Sequence, residues 1–129
     1  MEIELDRLEC LRLLGSVSIC RVGVTIGALP AILPVGFVLR GDLLLIGSVA
    51  GPVLRAAFAD AVVAVEADQI DEADHSGWSV LVRGRSFEVT DPAQIAAAAA
   101  IGPPGWAGSD GHLVAVHAHT VSGHRIVPS

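Results

Sequence analysis

The chain has 129 residues, 52% of them apolar and 17% charged, with a formal net charge of −6. That length suits one domain, residues 1–129, with a core that needs no staples, and the apolar share is high enough that part of the surface is expected to meet another subunit. All eight basic side chains are Arg and the balance is acidic, which argues against a nucleic-acid partner and leaves guanidinium and backbone N–H groups to hold any anion.

Cys10 and Cys20 form neither a close-spaced metal pair nor a disulfide framework, and the acidic start Met-Glu-Ile-Glu-Leu-Asp is unlike a basic export signal, so a cytoplasmic protein is expected. Leu5, Leu8 and Leu11 recur at helical spacing among charged residues, and Gly15 is placed to end the segment. A short amphipathic helix with its leucine stripe against the core is expected. Val17 to Thr25 is rich in β-branched residues, and its apolar positions change phase between Ile19 and Cys20, which predicts a bulged or two-sided strand. Cys20 reads as a small buried hydrophobe, with Arg21 on the opposite face.

The uncharged run from Val22 to Leu39 is long enough to raise the question of a membrane helix, but Gly23, Gly27, Pro30, Pro34 and Gly36 interrupt it and favour strands joined by a turn. No membrane partner is expected. Ala31 to Leu39 is the second strand, with Pro34 confining it to an edge, a bulge or a strand end. Arg40-Gly41-Asp42 supplies a hairpin turn and Leu43 to Ile46 the returning strand.

Gly47-Ser48-Val49-Ala50-Gly51-Pro52 feeds a helix over Pro52 to Phe58, an arrangement that an ordinary loop explains and that can also turn free N–H groups toward a phosphate. Ala61 to Ala67 alternates as a half-buried strand, and Asp68 to His75 reads as a solvated acidic loop that lacks the spacing of a calcium site. The stretch around which the rest is organised follows, Gly77 to Pro92. Trp78, Val80 and Val82 fall on one face and Leu81, Phe87 and Val89 on the other, while Gly84 between Arg83 and Arg85 marks a bulge or a close approach by another backbone or a ligand.

Asp91 is placed to cap a helix with Pro92 in its first turn and Gln94 at the capping-box position, and the helix runs through Ala96 to Ala100 with a thin alanine face suited to close packing. Gly102-Pro103-Pro104-Gly105 stops it. Trp106 lies in the loop beyond, over a core edge or as part of a lid. Leu113 to Val121 is the last strand, with His117 and His119 on one face toward solvent or a subunit seam, and no carboxylate or cysteine in that segment to complete a metal site. So many apolar strands hide their faces and edges most simply by closing into a small barrel.

From Leu5 to Ile126 the chain resembles the pyridoxamine 5′-phosphate oxidase-like flavin-binding split barrels. The words that carry the likeness are Ser76-Gly77-Trp78-Ser79-Val80-Leu81-Val82-Arg83-Gly84-Arg85, with Pro34-Val35, Gly41-Asp42 and Val121-Ser122-Gly123. The resemblance implies a mainly β fold of the α+β kind, a six-stranded split β-barrel with a few short helices. It also implies a homodimer that holds flavin mononucleotide (FMN) at the subunit interface, and by extension an FMN-dependent oxidoreductase. The cofactor-binding residues it implies are Pro34, Val35 and Gly36 beside the ring, Ser48, Gly51 and Arg55 near the phosphate, and Trp78, Arg83 and Arg85 on the central strand. No catalytic residue stands out. Where binding members carry an Arg before a Ser/Thr and a Lys after the glycine, this chain has Gly47 and Val53. That departure keeps open a barrel that has lost FMN and serves as a binding module, or takes another ligand such as a deazaflavin or haem.

Overall fold

The computed structural model describes residues 1–47, 52–101 and 112–128, apart from the side chains of 52–54 and 101. In chain order the elements are β1 (Glu2–Leu5), α1 (Arg7–Leu14), β2 (Ile19–Ile26), β3 (Leu29–Arg40), β4 (Leu43–Gly47), α2 (Pro52–Ala57), β5 (Ala61–Ile70), β6 (Gly77–Val89), α3 (Pro92–Ile101), β7 (Leu113–His117) and β8 (Thr120–Ile126). The strands run β1-β8-β6-β5-β2-β3-β4-β7, and a further β6–β7 pairing closes six of them into a barrel. The mainly β split barrel implied by the sequence is therefore the fold observed.

Turn chemistry sets the hairpins. Gly27 and Ala28 both take positive φ, 56° and 64°, between β2 and β3, as a two-residue turn that matches strand twist requires. Gly41 does the same at 64° between β3 and β4, so Arg40-Gly41-Asp42 is a hairpin turn. The run once open to a membrane reading lies in β2 and β3, and among the described residues no helix is long and apolar enough to cross a membrane. Pro30 and Pro34 sit in the half of β3 that is registered only with β2, since pairing with β4 begins at Phe37.

The barrel interior is filled by alternate residues: Cys20, Val22 and Val24 from β2, Phe37 from β3, Leu44 and Ile46 from β4, Val63, Val65 and Ala67 from β5, Trp78, Val80 and Val82 from β6, and Val114 and Val116 from β7. A second cluster lies outside the wall, where Ala98 of α3 packs with Leu45, Val89, Leu113 and Ala115. β4 and β7 are thus buried on both faces, which accounts for their unbroken apolar text. Asp91 caps α3 as expected, its Oδ1 accepting from the Ala93 N–H at 2.9 Å.

Three expectations are corrected. The leucine stripe of α1 is core contact only in part: Leu11, and Leu5 from β1, pack against the core, but Leu8 is 79% exposed and the fully inward residues are Cys10, Leu13 and Leu14. Gly123 lets the helix approach, because a Cβ there would lie 2.7 Å from Cys10 Sγ. β2 carries no bulge and alternates regularly, with Cys20, Val22 and Val24 buried between outward Ile19, Arg21 and Thr25. The last strand is two strands: β7 and β8 part at Ala118 and His119, because the upper half of β6 pairs with β7 and the lower half with β8.

Candidate functional site

Gly84 lies where β6 changes partner, between its pairing with β8, which ends at Arg83, and with β7, which begins at Ser86. The close approach expected of a strand glycine is made by backbone: a Cβ on Gly84 would fall on the His117 carbonyl. Arg7 braces the break from α1, its Nη2 donating to Ala118 O at 2.7 Å.

The change of partner opens a groove of about 710 Å³ on the outer wall, lined by Val62, Gly84 and Phe87 and flanked by Arg83, Arg85, His117 and His119. Phe87 also lines a neighbouring apolar hollow of about 480 Å³ beneath α3. An apolar floor with a few cationic groups at its rim suits a flat ring that carries negative charge. Arg85 is engaged by Asp60 at 2.8 Å, and His117 Nε2 lies 3.1 Å from Asp42 Oδ2 across the β3–β4 turn. His117 and His119 both reach this groove, and among the described residues no group of three His, Cys, Asp or Glu is arranged for a metal.

At the barrel end where β4 leads into 48–51, Arg55 of α2 meets two residues that the sequence did not single out. Its Nη1 is 2.7 Å from His112 Nε2 and 3.3 Å from Nδ1, and His112 Nδ1 is 2.9 Å from Glu88 Oε1. In the neutral tautomer with the proton on Nδ1, that proton is donated to the carboxylate and Nε2, the nearer ring nitrogen, can accept from Arg55. Arg55 Nε is buried with no hydrogen-bond partner among the described residues. No sequence motif links these three; the β6–β7 register, in which Glu88 faces Val114, brings Glu88 beside His112.

Pro34, Val35 and Gly36 line a shallow cleft with Ser18 and Ile19 on the outer face of the β2–β3 hairpin. The Trp78 side chain is 5% exposed and packs inside the barrel, away from the outer groove. Ser48 and Gly51 lie outside the described residues, as does Trp106 with its loop. The expected residues therefore occupy separate places: Arg83 and Arg85 in the groove, Arg55 at the barrel end, Pro34 to Gly36 on the β3 wall.

The two cysteines are buried and free, and burial pushes the Cys20 thiol up to about 12, with the Glu66 charge adding to the effect. Glu66 is itself raised to about 7, chiefly by burial and then by its contact with Asp68, against the pull of Arg21. Arg21 Nη1 stands 3.8 Å from both carboxylates.

A family model described as Pyridoxamine 5'-phosphate oxidase matches residues 6–125. The chain is 42% identical over 130 residues to an uncharacterized protein of Mycobacterium tuberculosis, covering 97% of this chain and 86% of that one. Among solved structures it is similar to the FAD binding protein from Mycobacterium smegmatis, at 29% identity and a TM-score of 0.76, with 98% of this chain and all of that one covered. An FAD-binding protein from Mesorhizobium loti shares the fold at 21% identity and a TM-score of 0.78, over 98% of this chain and 99% of that one.

Proposed function

Because the chain belongs to the pyridoxamine 5′-phosphate oxidase family, we propose that it binds a flavin nucleotide, FMN or FAD, as a homodimer and uses it in an oxidoreductase reaction. The observation that carries this reading is Arg55, a partly buried guanidinium on α2 whose buried Nε has no hydrogen-bond partner among the described residues. A buried donor of a charged group left unpaired costs free energy, and a phosphate oxygen is the acceptor that such a donor suits. The likeness to the FAD binding protein from Mycobacterium smegmatis supports a flavin and sets FAD beside FMN.

Arg55 would hold the phosphate end, with Ser48 and Gly51 alongside it. Pro34, Val35 and Gly36 would form a wall for the ring, and Arg83 and Arg85 would place positive charge at the groove. A bound flavin supplies the electron-transfer chemistry, while the protein binds, orients and shields it from water. The homodimer is supported by the outer wall of β2, β3 and β5, where Ile19, Ile32 and Val62 are 64%, 74% and 68% exposed. Gly23 pairs with both Ile32 and Ala64, and Ala64 with Arg83, so this wall leads to the groove alongside the Arg21, Glu66 and Asp68 charges.

A second reading is favoured by Gly47 and Val53, the positions where binding members carry cations: a barrel without a flavin, acting as a binding module or taking a deazaflavin or haem. Titrating purified protein with FMN, FAD and riboflavin while recording the visible spectrum and Tm separates the two. The flavin reading expects a saturable spectral change and a Tm that climbs with nucleotide concentration. A spectrum identical to free flavin with a static Tm would leave the second reading.

A further inference from the structure

We infer that His112 and Glu88 are positioning residues that hold Arg55 ready for the phosphate of a flavin nucleotide, an assignment that rests on the flavin reading above. Three observations meet at this point. Glu88 Oε1 holds His112 Nδ1 at 2.9 Å, and Arg55 Nη1 lies against the His112 ring, 2.7 Å from Nε2 and 3.3 Å from Nδ1. The guanidinium so held has a buried Nε with no partner among the described residues, whereas a purely structural ion network would be expected to satisfy that donor. Its place is fixed by register: Gly47 pairs with Leu113, so His112 stands at the end of β4, and Glu88 lies beside it opposite Val114.

The composition explains why such a device is needed. The chain has no lysine, and Arg55 is the only arginine between Arg40 and Arg83. At this end of the barrel one cation must then serve alone among the described residues. A free arginine loses much rotamer entropy when it clamps an anion, and a side chain already held by a neighbour loses less. Glu88 contributes by fixing the His112 tautomer: with the proton on Nδ1, Nε2 has a lone pair for Arg55 and does not compete for the phosphate. The carboxylate is kept one imidazole away from the anion it would otherwise repel.

The test is the ratio of riboflavin Kd to FMN Kd, measured by fluorescence titration on the full chain, because riboflavin lacks only the phosphate. Wild type is expected to bind FMN more tightly than riboflavin, and Arg55→Ala to bring the ratio close to unity. His112→Ala should weaken FMN about ten-fold, the scale of one charge-assisted hydrogen bond, with riboflavin unchanged. His112→Gln, which can accept from Arg55, should recover part of the loss. Should His112→Ala not fold, Glu88→Leu carries the test from the more exposed end and must also weaken FMN alone, while Glu88→Gln, which still accepts from Nδ1, stays near wild type. Wild type that binds both ligands equally, or variants that weaken both equally, overturns the positioning role and leaves flavin binding standing. Wild type that binds neither ligand overturns the flavin reading, and this inference with it.

Discussion

At Gly84 a side chain has nowhere to go, since its Cβ would fall on the His117 carbonyl, which is backbone held in the β7–β8 break. Gly84→Ala should therefore cost about 3 kcal/mol or more, the range of mutations that force backbone to shift, and urea unfolding would measure it. A change under about 0.5 kcal/mol, typical of neutral surface sites, would show that the break yields freely. Glu66 gives a pH signature. Its folded pKa of about 7 lies above the ordinary 4.5, so the stability it contributes is fully present below the lower value and is lost as pH rises through the higher one. Its side chain is 37% exposed, which keeps the amplitude modest. Glu66→Gln should flatten that part of a Tm-against-pH curve; an unchanged slope would exclude Glu66 as its source. Both thiols are buried, and burial raises both pKa values, so neither Cys10 nor Cys20 should react with a thiol reagent at pH 8 until urea is added.

Elements with a strong local signal were legible from the sequence, and those defined by distant partners were not. The hairpin at Arg40-Gly41-Asp42 and the Asp91 cap are written in adjacent residues, and both form as read. The β7–β8 break is not, because Leu113 to Val121 reads as one apolar strand and is divided only by the pairing of β6 with two partners. The buried face of α1 was legible only in part, for a similar reason. Leu5, Leu8 and Leu11 have helical spacing, but the approach that Gly123 permits turns Cys10, Leu13 and Leu14 inward and leaves Leu8 outside. Arg7 ties α1 to the break through Ala118 O, so Arg7→Ala should lower stability by about 1–2 kcal/mol, a charged hydrogen bond's worth, in a denaturant titration. No loss would mean that the break is held by its strands alone. The thin alanine face of α3 sets the depth of the hollow beneath it, where Ala98 is 1% exposed. Ala98→Leu should overpack that layer and cost about 1–3 kcal/mol by the same method.

At the scale of the whole molecule, barrel closure gives the strands two different surfaces, an interior packed with Val, Ile and Phe and an outer wall still apolar at Ile19, Ile32 and Val62. The candidate site was legible only in part: Arg83 and Arg85 follow from the text around Gly84, whereas His112 and Glu88 are 24 residues apart and become neighbours only through the β6–β7 register. Burying the outer wall against a second copy would join it to the groove and enclose a flat ligand at the seam. Sedimentation velocity recorded at both the protein and the visible flavin absorption bands tests this most directly. The account predicts one boundary in which the flavin moves with a particle of two 13.3 kDa chains. Flavin that stays with the solvent, or protein that sediments as a single chain, would contradict it.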